Sequence, residues 1–157
     1  MNRHTTIYFA APLFTHAERL WNAQVTRCLR ARGHDVILPQ EADAEMLAER
    51  GKFDGPFLFQ KAIDGLERCS VVIAILDGAD PDSGTAWECG YASKLGRPII
   101  GVRTDFRPGG EADPERPVNL MLGQSCVEFV VAGPASVDCA ALVQQIECAL
   151  ARIEKGS

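Results

Sequence analysis

Four carboxylates crowd one strand-to-helix junction, and chemistry in this chain starts there. Asp77 closes the apolar run Val71-Val72-Ile73-Ala74-Ile75-Leu76, Asp82 stands in the turn Asp80-Pro81-Asp82-Ser83, and Glu88 follows six residues after Asp82. Glu88 is expected in the first turn of a helix, beside unpaired backbone N–H groups and the positive end of the helix dipole, which keep a carboxylate ionised. Such a group serves one of two ends. Thr85, three residues earlier, has the spacing of a capping box, in which the glutamate closes back on the backbone; turned outward, the same carboxylate is available for catalysis. Asp82 reads as a turn or N-cap residue, and Asp77 as a cap on the turn through Gly78.

The elements that must position these residues follow from apolar patterning. Six consecutive apolar residues, mostly β-branched, suit a strand buried on both faces, and the Asp/Gly/Pro cluster after them feeds a helix from Gly84 to Leu95. Strands are also predicted at Thr5–Ala10, Asp35–Leu38, Ile99–Val102 and Val127–Val131, and helices at Thr15–Arg32, from Pro56 to Arg68 and at Ser136–Glu154. Thr15 can cap the first helix, Gly33 can close it, and its inner stripe is expected to hold Leu20, Trp21, Gln24, Val25, Cys28 and Leu29. Phe59, Ile63 and Leu66 give the next helix its stripe, and Leu142, Ile146, Leu150 and Ile153 the last. Pro39 to Gly55 is acidic and irregular, the profile of a partly helical flap over a site, and Pro108 to Pro117 reads as a surface loop. Strand and helix alternate throughout. The expected fold is α/β: a doubly wound five-stranded parallel sheet, three layers α/β/α, flavodoxin-like with strand order 2-1-3-4-5, as one domain over residues 1–157. That order makes the first and third strands neighbours, so Tyr8 and the Asp77–Glu88 segment meet at one crevice.

Composition narrows the partners. The chain has 157 residues, 46% hydrophobic and 24% charged, with net charge −5 and pI near 5.2. No basic run is present, which argues against a nucleic-acid surface and for a small ligand. No apolar stretch approaches a membrane span, and the amino end is not a signal-peptide core, so a cytoplasmic protein without membrane contact is expected. Six scattered cysteines show no Cys-x-x-Cys pair and no histidine at metal-ligand spacing. They are expected to be small buried thiols, Cys89 facing the core although a helix start can lower a thiol pKa. His16 is expected at the surface. Neither a Gly-x-Gly-x-x-Gly nor a Walker loop occurs, and no cofactor or metal is called for.

The stretch Asp77-Gly78-Ala79-Asp80-Pro81-Asp82-Ser83-Gly84-Thr85-Ala86-Trp87-Glu88-Cys89-Gly90-Tyr91-Ala92 resembles the signature of the nucleoside 2-deoxyribosyltransferase family. Two distant stretches agree with it, Ile7-Tyr8-Phe9-Ala10-Ala11-Pro12-Leu13-Phe14 and Pro117-Val118-Asn119-Leu120-Met121. The resemblance implies the same flavodoxin-like fold and makes Glu88 the nucleophile: it attacks the anomeric carbon of a deoxynucleoside, the base leaves, and a second free nucleobase reopens the glycosyl-enzyme with retention. Tyr8 would orient Glu88 through its hydroxyl. Asp82, with Gly84 beside it, would hold the sugar 5'-hydroxyl and repel a phosphate, where related hydrolases of nucleoside monophosphates carry serine. Asn119 and Met121 resemble residues that reach into a neighbouring subunit's site, implying a homodimer or larger homo-oligomer with shared active sites. Phe14 lines the base pocket or anchors its loop. Some members place an aspartate against the departing base where this chain has Ala62. Asp64 lies off that helical face, leaving Asp77 as the substitute for base contact or proton donation. It would need a raised pKa while Glu88 stays ionised. Water as acceptor would make the protein a nucleoside or nucleotide N-glycosidase, and Arg103 and Arg107 leave room for a phosphate-binding variant. A module that binds a nucleotide without turnover fits the fold equally.

Overall fold

The computed structural model describes residues 5–105, 118–132 and 138–156. Its five strands are β1 (Thr6–Ala10), β2 (Asp35–Ile37), β3 (Val71–Ile75), β4 (Ile99–Arg103) and β5 (Glu128–Val131), all parallel in the order β2-β1-β3-β4-β5. The predicted strand order is therefore the observed one. Tyr8 pairs with Ile37 on one side and Val72 on the other, so it lies inside the sheet and not at its edge.

Among the described residues the α-helices are α1 (His16–Ala31), α2 (Ala42–Arg50), α3 (Gly55–Arg68), α4 (Ser83–Lys94), α5 (Leu120–Ser125) and α6 (Cys139–Gly156). Because side chains alternate across a strand, Ile7, Phe9 and Ile73 pack with Val25 and Leu29 of α1 and Leu142 and Ile146 of α6. Tyr8, Ala10, Val72 and Ala74 face the opposite layer, with Leu66 of α3 and Cys89 and Ala92 of α4. Thr15 caps α1 as predicted, in a capping box: its hydroxyl accepts from the Glu18 N–H at 3.2 Å, and Glu18 accepts from the Thr15 N–H at 2.7 Å. The α1 stripe is rotated from the predicted one. Leu20 and Gln24 are exposed, while Asn22 and Thr26 are buried, because Asn22 Nδ2 donates inward to the Pro12 carbonyl at 2.9 Å.

The Pro39–Gly55 segment is partly helical as expected, a single 3-10 turn over Pro39–Glu41 leading into α2. Met46 is the buried anchor of α2, and ion pairs Arg19–Asp43 at 2.8 Å and Arg30–Glu41 at 2.7 Å tie the segment to α1. Cys69, Cys89, Cys126 and Cys139 are buried, but Cys28 is half-buried and Cys148 exposed, which corrects the uniform expectation; Cys148 sits on an outward position of α6. His16 is exposed. Among the described residues, no helix is long and apolar enough to cross a membrane. The predicted loop Pro108–Pro117, and Arg107, lie outside the described residues.

The carboxyl ends of β3 and β4 are stapled together. Asp77 Oδ1 accepts from the Thr104 N–H at 2.5 Å and the Asp105 N–H at 3.2 Å, and its Oδ2 accepts from the Thr104 hydroxyl. Reciprocally, Asp105 Oδ2 accepts from the Gly78 N–H at 2.8 Å, in a turn whose φ of 101° at Gly78 suits only glycine. Arg103 is 1% exposed and donates to the Gly78 carbonyl at 2.8 Å, which corrects its reading as a solvated loop arginine open to phosphate: it is the last residue of β4, turned into the staple.

Candidate active site

The staple launches the segment that carries the acidic side chains. α4 starts at Ser83, one residue earlier than predicted, because Asp82 is its N-cap: Asp82 Oδ2 accepts from the Thr85 N–H at 2.8 Å and the Thr85 hydroxyl at 3.1 Å. The predicted capping box between Thr85 and Glu88 does not form. Asp82 takes the cap, and Glu88 moves into the second turn, too far along to reach the free amides. Gly84, in the first turn, leaves room for the cap, since a Cβ there would fall 3.1 Å from Asp82 Oδ2.

Freed from capping, Glu88 is turned toward β1. The Tyr8 hydroxyl donates to Glu88 Oε1 at 2.6 Å, across 80 residues of sequence. Tyr8 is wholly buried, so this bond fixes the carboxylate against a rigid strand. Burial pushes the Glu88 carboxyl up to about 7; the hydrogen bond from Tyr8 works against that rise, and the charge of Asp82 adds to it. This corrects the prediction that the helix start keeps Glu88 fully ionised: desolvation outweighs a dipole whose influence fades beyond the first turn. Tyr8 is itself pushed up by burial and by Glu88, so its hydroxyl stays a donor. Burial likewise pushes up the Cys89 thiol, which faces the core as expected.

Glu88 and Tyr8 open into a cleft of about 670 Å³ bounded by the ends of β1 and β2, by α2 and by α3. Leu13, Pro39 and Asp43 lie on one side of it, Phe59, Ala62 and Asp64 on the other. Phe59, predicted for the α3 core stripe, is exposed here, its ring 5.7 Å from Trp87, which stacks on Tyr91 at 5.4 Å. Ala62 and Asp64 both border the cleft, and Asp64 also borders a neighbouring depression with Arg50 and Gln60, where its Oδ1 accepts from Gln60 Nε2 at 2.7 Å. Asp77 is not among the cleft residues, and both its oxygens are taken by the β4 staple, which leaves the predicted proton donor without access. Phe14 is 75% exposed outside the cleft, where Leu13 lines the wall in its place.

Asn119 caps α5 by accepting from the Met121 N–H at 2.9 Å. Met121 is 76% exposed and borders a separate depression with Asp80, Pro81, Ala86 and Gly90. Within the single chain, then, Asn119 and Met121 do not join Glu88. Sequence reasoning missed Gly65, whose only signal is a glycine midway along an amphipathic helix. A Cβ at Gly65 would stand 2.9 Å from Cε2 of the Tyr8 ring. Among the described residues, no group of three or more His, Cys, Asp or Glu side chains is placed to hold a metal ion.

Comparison with known proteins places the chain in a family. The sequence pattern of a family described as nucleoside 2-deoxyribosyltransferase matches residues 7–121. No curated relative matches the sequence. The 2-deoxyribosyltransferase of Bacillus psychrosaccharolyticus is 29% identical with a TM-score of 0.61, over 79% of this chain and 84% of that one. The 2-deoxyribosyltransferase of Leishmania mexicana is 26% identical with a TM-score of 0.60, over 80% and 89%. At 16% identity and a TM-score of 0.60 over 91% and 98%, the CMP N-glycosidase of Clostridium botulinum shares the fold. The matched span runs from the strand bearing Tyr8, through the helix bearing Glu88, to the cap at Asn119, and the chain belongs to the nucleoside 2-deoxyribosyltransferase family, enzymes acting on nucleosides and nucleobases.

Proposed function

We propose that this protein transfers a 2-deoxyribosyl group from one nucleobase to another by double displacement through Glu88. The observation that carries the proposal is the 2.6 Å bond from the Tyr8 hydroxyl to Glu88 Oε1 in the lining of the cleft. With Oε1 held, Oε2 attacks the anomeric carbon, the N-glycosidic bond breaks, and its electron pair leaves with the base, which takes up a proton. An incoming base then attacks the same carbon from the face the first base left, gives up its proton and releases the carboxylate, so configuration is retained. A carboxylate desolvated to this degree is poised for attack, because little hydration must be shed on the way to the transition state.

Incubating the protein with a deoxynucleoside and a second free base tests the proposal. The swapped nucleoside is the expected product, and free sugar forms more slowly. Sugar release at an equal rate with and without acceptor base means hydrolysis instead. The attacking form of Glu88 is ionised and its pKa lies near 7, so kcat/KM should climb about tenfold per pH unit below 7 and level off above it. Tyr8→Phe removes a hydrogen bond that favours the ionised form; activity should fall about 10- to 100-fold and the limb should move to higher pH.

Asp82 does not line the cleft itself and occupies the cap through Oδ2, but its charge is felt at Glu88 and its Oδ1 is not used by the cap, and we assign it the sugar 5'-hydroxyl. Asp82→Asn preserves a capping oxygen but removes a charge that raises Glu88, so the limb should move to lower pH. KM for the deoxynucleoside should rise about tenfold and discrimination against the 5'-monophosphate should narrow. Unchanged discrimination would remove Asp82 from sugar recognition. The exposed Asn119–Met121 cap is the segment we expect to complete the cleft of a second copy.

A further inference from the structure

Gly65 sits inside α3 on ordinary right-handed backbone, since the positive φ values among described glycines belong to Gly33, Gly51, Gly78 and Gly96. Its contribution is therefore the missing side chain and not conformational freedom. Glycine weakens a helix interior, and something must offset that. The gain lies across the layer boundary: a Cβ at position 65 would meet Tyr8 Cε2 at 2.9 Å, Tyr8 Cδ2 at 3.0 Å and Ile37 Cγ2 at 3.1 Å. The α3 backbone lies close against the Cδ2–Cε2 side of the Tyr8 ring, while the hydroxyl at the end of that ring donates to Glu88. A ring wedged this way cannot tilt toward α3, so the hydroxyl stays at the carboxylate.

We propose that Gly65 is a positioning residue, which by letting α3 close on the Tyr8 ring sets the meeting of the Tyr8 hydroxyl with Glu88. The inference rests on the reading of Glu88 as nucleophile, and gives the mid-helix glycine a place in that site. Other titratable or charged groups around the pair are Asp82 heading α4, Cys69 after α3, Lys61, Asp64 and Arg68 on α3, Asp35 on β2, Glu41 in the turn after it, and Asp43 and Glu45 on α2. The three atoms nearest a methyl group added at Gly65 belong to Tyr8 and Ile37 and to none of these groups.

The test follows the Glu88 carboxyl carbon by NMR in glutamate-labelled protein, its signal identified by loss in Glu88→Gln. Gly65→Ala should displace the ring, weaken the hydrogen bond to the ionised form and raise the Glu88 transition by about one pH unit. Tyr8→Phe should raise it similarly, and Gly65→Ala/Tyr8→Phe no further than Tyr8→Phe alone, since both act through one hydroxyl. Gly101→Ala is the control: its Cβ would fall 2.5 Å from the Phe129 ring, a tighter clash than at Gly65 and one that does not involve Tyr8, so stability should drop with the transition unmoved. Where Gly65→Ala alone does not fold, Ile37→Ala is compared with Ile37→Ala/Gly65→Ala, in which the second obstructing methyl is gone and the ring contact remains. An unmoved Glu88 transition, or additive shifts from Gly65 and Tyr8, would overturn the proposal. The titration needs no turnover: inactive wild type with a shifted transition refutes the functional reading alone, and active wild type with an unshifted one refutes this inference alone.

Discussion

Replacing Glu88 with glutamine is expected to abolish deoxyribosyl exchange, a loss of at least about a thousandfold, and to make the protein more stable at alkaline pH. Glutamine is isosteric, and its carbonyl oxygen can still accept from the Tyr8 hydroxyl, so the packing around β1 and α4 survives. What disappears is the oxygen that can bond to the sugar. The stability effect has a definite sign. Burial raises Glu88 from the ordinary glutamate value of about 4.3 to about 7 in the folded chain. The folded state thus holds a proton that the unfolded state gives up, so the wild type loses stability as pH rises between those two values and is level above 7. Glutamine has no such slope. Melting curves at pH 5 and pH 8 should show the variant gaining on the wild type at pH 8, the pattern of a site that keeps a costly charge for its chemistry. Exchange retained within tenfold of wild type, or an identical pH slope in both proteins, would mean that Glu88 is a structural acid.

The sheet was legible because its signals are local. Val71–Leu76 is an uninterrupted apolar run, and β-branched residues buried on both faces have few other places to go in a chain that alternates strand with helix. Thr15 with Glu18 capped α1 as its spacing implies, yet the same spacing at Thr85 and Glu88 misled, since Asp82 stands ahead of it and competes for the same amides. That competition is where local reading stops, for nothing within α4 says that a tyrosine 80 residues away claims the carboxylate. The pairing of Tyr8 with Glu88 came from the family motif and strand order together. Gly65 is invisible for the same reason, since its role depends on what lies across the layer boundary. Asp77 shows the opposite error: its type suited acid chemistry, but its partners, Thr104 and Asp105, belong to a strand end whose distance in sequence hid them. Arg103 shared that fate, read as a loop residue because its strand was drawn one residue short.

Arg103 is accordingly the side chain whose loss should cost the fold most visibly. Its guanidinium is 1% exposed, donates to the carbonyls of Gly78 at 2.8 Å and Leu76 at 3.4 Å, and pairs with Asp105 Oδ1 at 2.8 Å. Arg103→Met keeps much of the apolar stem and removes every one of those donors. Removing one partner of a buried ion pair costs about 3 to 5 kcal/mol, and because Asp105 keeps 23% of its side chain exposed the cost belongs near the lower figure. In a chain of 157 residues that is a fall of roughly 10 °C in melting temperature. Arg103→Met/Asp105→Asn should recover part of it, because the stranded carboxylate is what makes the single change expensive. The turn that Arg103 and Asp105 hold, at Gly78, leads directly into Asp82 and the helix of Glu88. Exchange should therefore slow even at temperatures where the variant is fully folded, through a less ordered approach to the sugar. A variant that melts like wild type but loses affinity for inorganic phosphate would instead make Arg103 a ligand-binding residue, and the staple between β3 and β4 incidental to the site.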